Sequence, residues 1–266
     1  AISEDLAGGQ DLTSVATITQ SQVSTADFVT RTGGVVSGLH VVVAVLEYCG
    51  VNHYEVLVDE GAKVSAGKVL ITAQGNTQKL LLAERTALNF LSHLSGISTL
   101  TNQWVSEISG TKCQVRDTRK TTPGLRMLEK FAVRMGGGTN HRLSLSQAAL
   151  IKDNHVLAAG SITAAFNAIK KMYPDKSIEI EVDSIDQLNE AVKLKPDLIL
   201  LDNMSVEQCN QAVLISAGLV KLEASGGIAI SNAKSYAATG VDYLAIGSLT
   251  HSAPALDIGL DFRKEK

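Results

Sequence analysis

The rhythm of apolar and polar positions changes near residue 96. Before it, short β-like runs at residues 26–30, 34–37, 54–58 and 69–73 alternate with glycine-containing turns, among them Asp59-Glu60-Gly61 and Ser65-Ala66-Gly67. Residues 39–48 and 80–94 read as helices, and in the second Leu81, Leu82, Arg85, Leu88, Asn89 and Ser92 recur at three- and four-residue spacings. The pattern predicts a small mixed α/β layer with no catalytic constellation of its own.

After residue 96 the chain repeats an apolar run, a polar or glycine-bearing end, and a helix. Strands are predicted at residues 113–116, 149–152, 178–182, 198–201, 221–224 and 243–246, with helices at 161–172, 184–193, 206–216 and 231–239. Successive strands start roughly 20 to 30 residues apart, the spacing a parallel βα unit needs, because a crossover consumes a dozen or more residues. Strands covered on both faces are continuously apolar, and Leu198-Ile199-Leu200-Leu201 is such a run. The prediction is an α/β barrel.

Composition agrees with a folded chain of this size. Its 266 residues are 45% hydrophobic and 19% charged, enough to bury one large core or two modest ones, which excludes disorder. Cys49, Cys113 and Cys209 are isolated and odd in number, so neither a disulfide framework nor a zinc knuckle is expected. The longest apolar candidate, residues 41–46, is too short to span a bilayer. The opening Ala-Ile-Ser-Glu-Asp-Leu lacks the basic and apolar regions of a secretory signal, so a cytoplasmic location is expected.

The net charge of −3 argues against a nucleic-acid or anionic-membrane binder, but it averages two opposite regions. Nine of the 24 Lys and Arg residues lie between Lys112 and Lys152, against only Asp117 and Glu129. That segment carries +7 and the remainder −10. If the cations converge, they bind an anion.

Barrels place their chemistry at the carboxyl ends of the strands. Here those ends carry Arg119 and Lys120, His141 and Arg142, Lys152, Glu181, Asp202, Ser225-Gly226-Gly227 and Gly247-Ser248. Turn requirements explain the glycines, but not Lys152, Glu181 and Asp202. Alternation along Ile178-Glu179-Ile180-Glu181-Val182-Asp183 points three carboxylates to one face, which with Asp202 suggests a sugar-hydroxyl or divalent-metal site. A structural Lys152–Glu181 pair is the other reading. Thr118-Arg119-Lys120 before a Pro-Gly turn suits phosphate or carboxylate capture. His40, His53, His93 and His251 read as surface or satisfied core residues, His155 as a helix-start residue, and Cys113 as strand filler.

These motifs, taken in order, resemble quinolinate phosphoribosyltransferase. The resemblance runs from Glu4-Asp5-Leu6 and Asp11-Leu12-Thr13-Ser14 through Glu84-Arg85-Thr86-Ala87-Leu88-Asn89, His93-Leu94-Ser95-Gly96-Ile97 and residues 116–124 and 136–142. It continues through Leu150-Ile151-Lys152-Asp153-Asn154-His155, residues 179–183, Leu200-Leu201-Asp202-Asn203 and residues 222–227 and 240–248, to Leu256-Asp257-Ile258.

It implies an N-terminal α/β sandwich (residues 1–96), an incomplete seven-stranded α/β barrel (97–250) whose seventh strand lies near residues 139–141, and a tail (251–266) returning to the first domain. The implied reaction joins quinolinate to phosphoribosyl pyrophosphate with loss of CO2, giving nicotinate mononucleotide in de novo NAD synthesis, with Mg2+. By that resemblance Arg85, donated by a partner in a homodimer or larger assembly, joins Thr118, Arg119, Lys120, His141, Arg142 and Lys152 around the diacid. Lys120, Glu181 and Asp202 would be catalytic, with Glu181 and Asp202 also holding the metal, while Ser225, Gly226, Gly227, Ile246, Gly247 and Ser248 bind the 5-phosphate. The alternatives are nicotinate phosphoribosyltransferase and a non-catalytic sensor of phosphoribosyl compounds.

Overall fold

A computed structural model describes residues 1–264; the last two residues of the predicted tail lie outside them. The chain forms two compact units. The first comprises Ala1–Asn102, Arg134–Gly137 and the residues from Ser252 onward, and the second comprises Gln103–Val133 and Gly138–His251.

The first unit begins with α1 (Ile2–Leu6) and α2 (Leu12–Thr17), whose N-cap Asp11 accepts the Thr13 and Ser14 backbone N–H groups. There follow β1 (Val23–Thr30), β2 (Gly34–Val35), α3 (Leu39–Tyr48), β3 (His53–Val56), β4 (Lys63–Val64), β5 (Val69–Asn76) and the 31-residue helix α4 (Thr77–Glu107). Helix α4 runs well beyond the predicted stretch because Gly96 does not end it. A Cβ there would sit 2.1 Å from the Pro254 carbonyl oxygen, so the glycine serves a close backbone approach. Phe28, Ile71, Leu46, Leu80 and Leu91 lie in one apolar core that also takes in Leu256 and Ile258.

The second unit follows the predicted βα order. Its elements are β6 (Gln114–Arg116), α5 (Arg126–Met135), β7 (Ala149–Ile151), α6 (Asp153–Ala159), α7 (Ile162–Met172), β8 (Ile178–Val182), α8 (Ile185–Leu194), β9 (Leu198–Asp202), α9 (Val206–Ser216), β10 (Lys221–Ser225), α10 (Ile230–Ala238), β11 (Tyr243–Ala245) and α11 (Ser248–His251). The six strands form one parallel sheet in the order β6-β11-β10-β9-β8-β7. In place of a seventh strand there is a single parallel bridge between Arg116 and Thr139. The barrel is therefore incomplete. Ile178, Ile180 and Val182 are all at most 1% exposed, so the apolar face of β8 packs into the core and its carboxylates face the other way. The last element, β12 (Ile258–Phe262), completes the first unit's antiparallel sheet, whose order is β12-β1-β5-β3.

Candidate active site

Parallel register brings strand-end residues to one level. Asp202 pairs with Ser225, Ser225 with Ala245, and Ala245 with Arg116, while Glu181 lies opposite Leu200 and Leu200 opposite Glu223. Because side chains alternate, Leu200 and Asp202 share a face, as do Glu223 and Ser225. Together they line a cavity of about 500 Å³.

Fourteen predicted residues border that cavity: Thr118, Arg119, Lys120, His141, Arg142, Lys152, Glu181, Asp202, Ser225, Gly226, Gly227, Ile246, Gly247 and Ser248. Arg85 is the exception. It is exposed on α4 and lines a different cleft, with Asn89, Ser92, His93 and residues 255–258. Glu223 and His251 also line the cavity and were not predicted. Glu223 was legible as the inward position two residues before Ser225; His251 had no signal beyond standing one helical turn after Ser248.

The basic segment divides into ligand-facing and structural cations. Lys130 is fully buried and binds Asp117, which also accepts the Asn140 side-chain amide and the His141 N–H. Burial pushes the Asp117 carboxyl up and the Lys130 ammonium down, so each opposes the charge that the pair itself favours. We take the pair as ionised, because Asp117 accepts three donors. Arg126 fixes the preceding loop by donating to Thr121 Oγ1 at 3.0 Å and the Leu143 carbonyl at 3.2 Å. Lys120 is held through its backbone, its N–H donating to Thr118 Oγ1 at 3.0 Å and its carbonyl accepting Thr250 Oγ1 at 2.7 Å.

Arg119 and Arg142 are the notable pair. Burial and the neighbouring Arg119 guanidinium both pull Arg142 below the usual arginine range. Arg142 donates through Nη1 to the Ala148 carbonyl at 2.8 Å, yet the buried Nε–H groups of Arg142 and Arg119 have no acceptor among the described residues. Like charges held together on the lining of the cavity define a place for an anion.

The carboxylates of β8 separate. Asp183 is exposed, Glu181 borders the cavity, and Glu179 turns to His141 below it. Lys152 Nζ lies 2.6 Å from Glu181 Oε2, as the structural-pair reading of those two residues expects. Lys152 also caps α6, its N–H donating to Nδ1 of His155 at 3.0 Å. Asp202 accepts the Asn203 amide at 2.8 Å. On the glycine side, Gly226 (φ +82°) and Gly227 (φ +64°) adopt the left-handed backbone, and a Cβ on Gly226 would sit 2.2 Å from Asn203 Oδ1. The predicted filler role of Cys113 agrees with its burial, which pushes the thiol up to about 12.

Two family models divide the chain between them. The quinolinate phosphoribosyl transferase N-terminal domain matches residues 11–95 and the C-terminal domain matches residues 97–261. The chain belongs to the quinolinate phosphoribosyltransferase family. It is 51% identical to a carboxylating nicotinate-nucleotide pyrophosphorylase of Mycobacterium leprae, over 98% of this chain and 94% of the relative. The crystal structure of a nicotinate-nucleotide pyrophosphorylase from Ehrlichia chaffeensis superposes with a TM-score of 0.95 at 40% identity, covering 98% of this chain and 96% of that one. The corresponding Francisella tularensis structure gives 0.94 at 39%, covering 98% and 93%. Human nicotinic acid phosphoribosyltransferase, at 12% identity and a TM-score of 0.59, shares the fold alone.

Proposed function

We propose that this protein transfers the phosphoribosyl group of phosphoribosyl pyrophosphate to quinolinate and releases pyrophosphate and CO2, leaving nicotinate mononucleotide. The observation that carries this reading is the Arg119–Arg142 pair, two crowded guanidiniums that both border the cavity. A planar diacid supplies acceptors for both, whereas a monoacid leaves one charge unmatched.

Lys120 and Lys152 extend the same positive wall toward the carboxylates and the leaving group. Glu181 and Asp202 face the sugar, accept its hydroxyls and favour positive charge at the anomeric carbon as the C–O bond to pyrophosphate lengthens. The ring nitrogen then takes that carbon and becomes a pyridinium. Loss of CO2 from the neighbouring ring carbon leaves an electron pair that the pyridinium stabilises until a proton replaces it. The backbone at Ser225, Gly226, Gly227, Ile246, Gly247 and Ser248 receives the 5-phosphate. Glu181 and Asp202 offer the hard oxygen donors that Mg2+ takes beside substrate phosphates, so the pair fits that ion, which would neutralise charge on the departing pyrophosphate.

Arg85, exposed in its own subunit, completes the diacid site of a partner in a homodimer or larger assembly. A cytoplasmic location belongs to the same proposal; among the described residues no helix is long and apolar enough to cross a membrane.

The decisive assay follows labelled CO2 from carboxyl-labelled quinolinate with phosphoribosyl pyrophosphate, alongside turnover of nicotinate. Release of CO2 without nicotinate turnover is expected, and the reverse result refutes the reading. For Arg85, an inactive Arg85→Ala protein should regain activity when mixed with an inactive Lys120→Ala protein. No recovery in an assembly shown to exchange subunits counts against a shared site.

A further inference from the structure

His141 borders the cavity, and the family resemblance makes it a cation for the diacid. Its polar atoms are nevertheless all engaged within the protein. The backbone N–H donates to Asp117 Oδ1 at 2.8 Å and the carbonyl accepts Lys130 Nζ at 2.8 Å. On the ring, Nδ1 accepts the Arg142 backbone N–H at 2.8 Å, and Nε2 lies 3.0 Å from Glu179 Oε2 and 3.4 Å from Glu223 Oε1.

Beneath the ring, Glu223 is fully buried and bound at 2.7 Å by Arg116 Nη1, and the Arg116 guanidinium stacks 4.5 Å from the Tyr243 ring centroid. Burial opposes a charged imidazole, while the neighbouring Glu179 and Glu223 favour one. The Arg142 bond argues the other way, since an N–H can donate to Nδ1 only if that nitrogen keeps its lone pair. The bond decides for a neutral ring protonated on Nε2. The same bond excludes a metal on Nε2, although the three ligating atoms lie within 4.8 Å of one another, because a metallated ring carries its proton on Nδ1.

We propose that His141 is a positioning residue: clamped by Glu179 and Glu223 below, it holds the Arg142 backbone, and so its guanidinium, toward the diacid, and does not itself contact that substrate. This rests on the reading that the cavity takes quinolinate. It assigns Glu179, Glu223 and Arg116 a common task, the fixing of one imidazole.

The two ring nitrogens can be replaced separately. His141→Asn puts Oδ1 where Nδ1 was and keeps the acceptor for Arg142 but loses the donor to Glu179. His141→Gln carries an amide N–H toward Glu179 and leaves Arg142 without its acceptor. Both are compared with wild type by steady-state kinetics and thermal unfolding. The Asn variant should keep the quinolinate KM within about threefold while melting earlier, and the Gln variant should raise that KM by about tenfold with the phosphoribosyl pyrophosphate KM unchanged.

Equal rises in quinolinate KM for the two variants would mean direct contact and overturn the proposal, as would parallel loss of every kinetic parameter. Should neither variant fold, Glu179→Gln decides, because its amide still accepts from Nε2–H but removes the charge that an imidazolium would need. A quinolinate KM within about threefold of wild type at pH 8 supports positioning, and a rise of about tenfold or more refutes it. If wild type fails to turn over quinolinate, the functional reading fails; if it succeeds and the variants break this pattern, only the inference does.

Discussion

Replacing Glu181 by glutamine should tighten the diacid while damaging catalysis. Lys152 Nζ is 2.6 Å from Glu181 Oε2, so the ammonium must leave one carboxylate to meet another. The Lys152 side chain is 46% exposed and that of Glu181 14%, which places their attraction within the range of about 0.2–1 kcal/mol found for solvent-accessible pairs. Removing the charge on Glu181 returns that amount to the incoming ligand, a gain in affinity of about 1.4- to 5-fold.

Benzene-1,2-dicarboxylate is the appropriate probe, since it carries both carboxylates but no ring nitrogen to react. Calorimetry on wild type and Glu181→Gln should show the tighter binding. With phosphoribosyl pyrophosphate occupying Glu181 in the absence of metal, wild type should gain affinity for the probe and the variant should not. Linkage requires the same factor in the reverse titration. Equal probe affinity in the two proteins, or a coupling that survives the substitution, would refute the argument. Turnover of Glu181→Gln should fall by about a hundredfold, because the carboxylate no longer faces the charge developing on the sugar.

Arg142→Ala should raise the quinolinate KM by about 10- to 150-fold, the loss of charge-assisted hydrogen bonds worth about 1.5–3 kcal/mol. Lys130→Met should destabilise the fold by about 3–5 kcal/mol in urea unfolding, because it leaves the buried Asp117 carboxylate without its cation. With its thiol pushed up to about 12, Cys113 should resist iodoacetamide at pH 8 in the native protein and react only after unfolding. Hydrogen bonds from Arg263 hold the Asp27 carboxyl below the usual carboxylate range against the opposing effect of burial. The folded value is the lower one, so this clamp stabilises above the ordinary carboxylate pKa and is lost as pH falls through the folded value. Asp27→Asn should therefore flatten the fall in melting temperature between about pH 5 and pH 2.

Strands and helices with a single dominant pattern were legible from the residues alone. Strand β8 and helix α9 have the predicted bounds. The first alternates strictly, and the second opens on a Ser205–Gln208 capping box. Helix α5 was not predicted, because its charges read as an anion-binding segment; Lys130 and Glu129 are instead fully buried. Strand ends gave the cavity-lining residues, since a parallel sheet puts successive carboxyl ends on one rim. The depth of each residue along its strand was less legible. Glu179 and Glu181 share a face, yet one anchors a histidine and the other borders the cavity, and only the register with β7 and β9 separates them.

Strand β12 has a consequence for biosynthesis. It supplies an edge of the sheet whose other three strands lie between residues 23 and 76, with Ala26 to Thr30 opposite Phe262 to Ile258. A ribosome will have translated some 180 further codons before that edge can be covered. Through that interval the nascent polypeptide exposes unpaired amide and carbonyl groups along β1, a template for aggregation. A stop codon within residues 258–262 would spare every residue lining the cavity of about 500 Å³ and still leave this sheet unfinished.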